Sequence, residues 1–88
     1  MNVPDEYMYQ AINGGTLIGR TEPDRHSKYS WWQVYWFEDK ALAVVFDEEN
    51  GAICAEEVLT TEALSSYVDD VDAALDVLEH IRNGDYHK

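Results

Sequence analysis

The run Trp31-Trp32-Gln33-Val34-Tyr35-Trp36-Phe37 sets the hardest condition on any fold of this chain. It holds all three tryptophans of an 88-residue sequence. Its aromatic and β-branched content predicts a strand. Successive side chains of a strand point to opposite faces. Trp32, Val34 and Trp36 therefore share one face, and Trp31, Gln33, Tyr35 and Phe37 share the other. Both faces are apolar. If a helix covers one, the second is covered by the N-terminal segment, left to solvent, or buried by a partner. Exposed Trp and Tyr are preferred anchors of protein interfaces, so Trp31 and Tyr35 are candidate partner-binding residues.

Two more β-type runs follow. Residues 41–47 (ALAVVFD) alternate, with Leu42, Val44 and Phe46 on one face, and residues 52–59 place Ile53 and Ala55 together. The connectors are short, Glu38-Asp39-Lys40 and Glu48-Glu49-Asn50-Gly51, and Asn-Gly is a strong hairpin signal. Short connectors imply an antiparallel meander.

The last third has helical spacing. Leu64, Tyr67, Val68, Val71, Ala74, Leu75, Leu78 and Ile81 form an apolar stripe. Thr60 or Thr61 can cap its start, Gly84 can stop it, and Asp69-Asp70 can mark a break and a second start. At the N-terminus, Pro4, Asp5 and Glu6 before Asn13-Gly14 favour a short helix over 4–13. The competing reading is a strand, Tyr7 to Ile12, turning back into Thr16–Arg20. The polar stretch from Arg20 to Lys28 reads as a surface loop. The expected fold is α+β and a single domain. An antiparallel sheet of three or more strands (about 29–38, 41–47 and 52–59) packs against a C-terminal helix (about 61–83), with a short N-terminal helix or strand.

Charge decides which functions such a fold can serve. Six basic residues against eighteen acidic ones give a net charge of -12. Residues 38–79 alone hold thirteen acids and one base, Lys40. Direct nucleic-acid binding needs Lys and Arg to replace counterions, and this chain repels the polymer. Anionic membranes are disfavoured for the same reason. The charge suits a basic protein partner. Acidity also promotes solubility by itself.

Within the acidic region, Asp69, Asp72, Asp76 and Glu79 are spaced three, four and three. On a continuous helix that spacing makes a row along one side, with a carboxylate about every 5 Å. Phosphates along a nucleic-acid strand recur with broadly similar regularity. Like charges so placed weaken an isolated helix slightly, and no Lys or Arg relieves them before Arg82. Asp47, Glu48, Glu49, Glu56 and Glu57 extend the acidic surface if the strand ends lie near the helix.

Other chemistries lack their residues. The loop Asp47-Glu48-Glu49-Asn50-Gly51 puts glycine fifth instead of sixth for a calcium loop, and the distal glutamate is missing. His26, His80 and His87 are scattered and Cys54 is single, so no zinc set and no intrachain disulfide is expected. No nucleophile has a base and an orienting group in its context. Gly14-Gly15 with Gly19 lacks the lysine of a phosphate loop. No catalytic residue, metal or cofactor is expected.

In size, acidity and lack of catalytic motifs, the chain resembles small phage-encoded inhibitors of bacterial defence, of the anti-CRISPR and anti-restriction type, several of which imitate DNA charge. It is similar in kind to acidic immunity proteins and antitoxins that mask nucleases. The resemblance is one of size and charge, with no motif behind it, and it assigns no residue a role. It implies a non-enzymatic inhibitor that occupies a basic nucleic-acid-binding surface on a nuclease or CRISPR effector. The alternative is a homo-oligomeric structural or adaptor protein that joins through its aromatics, the acids being only solubilising. The N-terminus has no basic n-region or apolar h-region, and no apolar run approaches the ~20 residues of a membrane span. The expected compartment is the cytoplasm, that of a host cell if the chain is phage-encoded.

Overall fold

The structure, a computed structural model, describes residues 3–21 and 30–84. Most of the polar stretch after Arg20, and with it His26 and Tyr29, lies outside the described residues, as does His87. The elements run α1 (Asp5–Gly14), β1 (Thr16–Arg20), β2 (Ser30–Phe37), β3 (Lys40–Asp47), β4 (Gly51–Glu57), α2 (Thr61–Leu64) and α3 (Val71–Arg82). The strands form one antiparallel sheet in the order β1-β2-β3-β4. The expected meander is there, with β1 added at its edge. The strand alternative for residues 7–12 is overturned: they are helical, and only Thr16–Arg20 is a strand.

The two faces of β2 are both covered by the chain itself. Across β2 and β3, Val34 pairs with Ala43 and Trp36 with Ala41 on one face, while Tyr35 pairs with Leu42 and Gln33 with Val44 on the other. The first face meets α2 and α3. Ile18, Val34, Ala43, Val58, Leu64, Val68, Ala74 and Leu78 form its buried cluster, with Trp36 and Tyr67 packed against it. The second face meets α1, where Met8, Val44 and Ala55 are buried with Tyr35, Phe46 and Ile12 around them. The molecule is thus a sheet between helical layers, and a strand inside such a sandwich has no reason to alternate.

Local chemistry explains the element ends. Asp5 and Glu6 stand in the first turn of α1, where carboxylates favour the positive end of the helix dipole. Glu38 and Asp39 both take positive φ (49° and 66°) in the tight β2–β3 turn, as a two-residue hairpin that follows the strand twist requires. At the β3–β4 loop the Asp47 carboxylate accepts the Glu49 N–H at 2.8 Å, and Gly51 supplies the left-handed residue (φ 72°). Past the end of β1, the buried Thr21 hydroxyl accepts the Trp32 N–H at 2.9 Å and so continues the ladder with a side chain.

The C-terminal helix expected over 61–83 is two helices, with the break at Asp69-Asp70 that the sequence allowed. Thr60 Oγ1 accepts the Ala63 N–H (3.0 Å) and caps α2; Asp70 Oδ1 accepts the Ala73 N–H (3.0 Å) and caps α3. Between them, the Asp69 N–H donates to the Arg20 carbonyl at 3.0 Å. A continuous helix would need that donor for the carbonyl four residues back. The edge of β1 takes it instead, and the break follows.

Met8 is the largest fully buried side chain of the α1 layer, 1% exposed. Met8→Ala is expected to destabilise the fold by about 2–5 kcal/mol, measured by chemical denaturation. A loss below about 0.5 kcal/mol, the range of an inert surface change, would mean that α1 does not cover this face.

Candidate functional site

The acidic residues separate into groups with different surroundings. Asp72, Asp76 and Glu79 are exposed on the outer side of α3, opposite the buried Ala74 and Leu78. Among the described residues, Asp76 Oδ2 lies 3.6 Å from His80 Nε2, the two side chains being 70% and 46% exposed. Asp69 does not share their helix face. It stands one residue before the Asp70 cap, half-buried, and lines a shallow hollow of about 300 Å³ with Leu17, Ile18, Gly19, Arg20, Asp70 and Ala73. The expected four-carboxylate helical row is therefore a row of three, because capping by Asp70 fixes the helix start after Asp69.

Glu56 and Glu57 lie on opposite faces of β4, and both are engaged. Glu56 accepts the Tyr67 hydroxyl at 2.6 Å, and Glu57 pairs with Lys40 at 3.1 Å. Asp47 braces its own turn, while Glu48 and Glu49 project at the tip. That tip is at the far end of β3 from Glu38 and Asp39. The carboxylates are thus distributed around the sandwich, and α3 carries the one regular exposed row.

The aromatic candidates make their contacts within the chain. Tyr35 packs against the Met8 cluster, and its hydroxyl donates to Gln33 Oε1. Trp31 stacks on Phe46, centroids 5.8 Å apart and planes 7° from parallel. On the other face Trp32 meets the edge of Tyr67 at 5.0 Å. The large exposed apolar side chains are instead Tyr9, Leu17, Ile53 and Leu59. Ile53 does not share the Ala55 face as expected: Val45 pairs with Cys54 and Phe46 with Ala52, so Ile53 is the extra residue of a bulge.

The sequence reading missed one concave feature. A groove of about 450 Å³ opens where the C-terminal end of α3 passes Trp36, with Val58, Leu59, Leu64 and Leu78 as its apolar lining and Lys40 and Arg82 among its charged residues. Its sequence signal was Leu59, an apolar residue between a strand and a cap. Among the described residues no group of three His, Cys, Asp or Glu is placed to hold a metal ion, and no helix is long and apolar enough to cross a membrane.

Three tyrosines are held above their ordinary pKa of 10.0. For Tyr67 the hydrogen bond to Glu56 leads, followed by burial and the Glu56 charge. For Tyr35 the cause is burial, and for Tyr7 burial followed by the charge of Glu38. The folded chain keeps these protons where the unfolded chain releases them. Their stabilisation is whole below about pH 10 and is lost as pH rises through the folded values. Alkaline titration should show phenolate absorbance delayed in the folded chain, and Tyr67→Phe should shrink the fall of stability above about pH 10. An unchanged alkaline profile in that variant would mean the Tyr67–Glu56 bond is absent.

Compared with known proteins, the chain matches no protein family, no curated protein and no solved structure.

Proposed function

We propose that this chain is a non-enzymatic inhibitor that binds a basic nucleic-acid-binding surface of a target protein, such as a nuclease or CRISPR effector, partly mimicking nucleic-acid charge. The observation that carries the reading is the row Asp72, Asp76 and Glu79 on the solvent side of α3, with no Lys or Arg before Arg82. These carboxylates take no part in the core. Stability alone would favour lysines among them. A row of like charges attracts a partner that carries the opposite sign and steers its approach.

Three further points support it. The net charge of -12 reinforces the field of the row. Asp69, Asp70 and the turn at Glu48 and Glu49 add carboxylates outside the row. The aromatic run that favoured an oligomer is engaged inside the sandwich, and no tryptophan stands among the large exposed apolar residues. An antitoxin or immunity protein that masks a nuclease would use the same surface in the same way. The test is charge reversal within the row, with binding and stability measured together: binding should collapse while stability holds.

A further inference from the structure

Leu59 is 80% exposed, more than any other large apolar side chain among the described residues. It stands in the short link between β4 and α2, on the rim of the groove formed with Trp36, Val58, Leu64 and Leu78. A knob and an apolar hollow therefore lie side by side on one patch. The charge there is unlike that of the other described residues. Lys40 and Arg82, two of the three basic residues in the described part, line the groove with Asp39 and Glu57. The patch is balanced, two cations against two anions. Lys40 is paired with Glu57, and Arg82 has no ion-pair partner among the described residues. Everywhere else the described residues hold thirteen acids and one base, Arg20.

We infer that this groove is a self-association site whose occupant is a second copy of the chain. Two molecules of net charge -12 repel each other over most of their surfaces. The Leu59 patch is where that repulsion is least. A two-fold axis makes any such contact self-complementary. Leu59 of each copy enters the groove of the other, and Arg82 of each approaches Asp39 or Glu57 of the other. Asp72, Asp76 and Glu79 do not line the groove, so the acidic row stays outside the contact. The inference is independent of the inhibitor reading. Its salt dependence has the opposite sign, because salt screens the repulsion between copies but also screens the attraction for a basic target.

The test uses the purified full chain alone, by sedimentation velocity up to millimolar concentration. The association constant should rise by about tenfold between about 0.05 M and 0.5 M salt, as the Debye length shrinks several-fold. Leu59→Asp should lower it by at least about tenfold, and so should Arg82→Glu, which makes the patch acidic. Circular dichroism of the Leu59→Asp chain should match the parent, since the side chain is 80% exposed. Asp76→Lys with Glu79→Lys should not weaken association. A monomer at every concentration in high salt would overturn the inference, as would a Leu59→Asp chain that associates like the parent. So would dimers formed only by a chain ending at Gly84, which would make residues 85–88 the occupant.

Discussion

Gly15→Ala is expected to destabilise the fold by about 3 kcal/mol or more, the upper range for forcing atoms into packed space. For a domain of this size that is a fall in Tm of about 12–24 °C. Gly15 joins α1 to β1, and its N–H donates to the Ala11 carbonyl at 2.7 Å. A methyl group there would sit 2.4 Å from the Ala11 oxygen and 2.9 Å from the Trp36 oxygen. Both are backbone atoms, so neither yields by rotating a side chain. The substitution must either unwind the last turn of α1 or push β1 away from β2. Each lifts the helical layer off the face that holds Tyr35. Thermal unfolding followed by near-ultraviolet dichroism, which reports the packed aromatics, should show an early transition. A Tm within a few degrees of the parent would mean that the α1–β1 junction is looser than described.

The second large effect concerns binding. Reversing Asp76 and Glu79 to lysine should weaken the target complex by about thirtyfold. The two positions lose their attraction and gain repulsion at about 1 kcal/mol each, and about 1.4 kcal/mol is a factor of ten. Both residues are exposed; Asp76 is at the middle of α3 and Glu79 in its last turn. Lysine at 79 complements the negative end of the helix dipole, which offsets the new like charge near Arg82, and the mid-helix position 76 is a solvated site. Stability should therefore stay within about 0.5 kcal/mol of the parent. Weakened binding could not then be ascribed to unfolding. Equal binding by the reversed chain would remove α3 from the contact. The same reversal leaves the Leu59 groove untouched, so the two surfaces can be examined one at a time.

Much of the sandwich was legible in the residues. The three β-type runs, their turns and the start and stop of the helices follow from local chemistry that the structure uses, including Asp70 and Thr60 as caps. The unalternating β2 run marked two apolar faces where one helix could cover only one. That α1 supplies the second cover was one of three options, and tertiary packing by Met8 chose it. The bulges at Ile18 and Ile53 were not legible, because a strand pattern holds no mark of which residue its partner will skip. The acidic surface was only half readable. Neighbours on a strand face opposite ways, so Glu56 and Glu57 had to part. Their partners, Tyr67 and Lys40, come from other elements and depend on the assembled fold. Asp69 was misplaced because the helical spacing continues through it. What removes it from the helix is a hydrogen bond to the edge of β1, at Arg20, 49 residues earlier in the sequence.

The central claim, that the acidic face occupies a site made for nucleic acid, is tested most directly by competition. Immobilised chain is offered bacterial proteins that bind duplex DNA and elute from it in salt. A member of that set should be retained, should be released by added duplex DNA, and should be held about thirtyfold less tightly by the Asp76→Lys, Glu79→Lys chain. A partner that DNA fails to displace, and that the reversed chain retains as well as the parent does, would contradict the account.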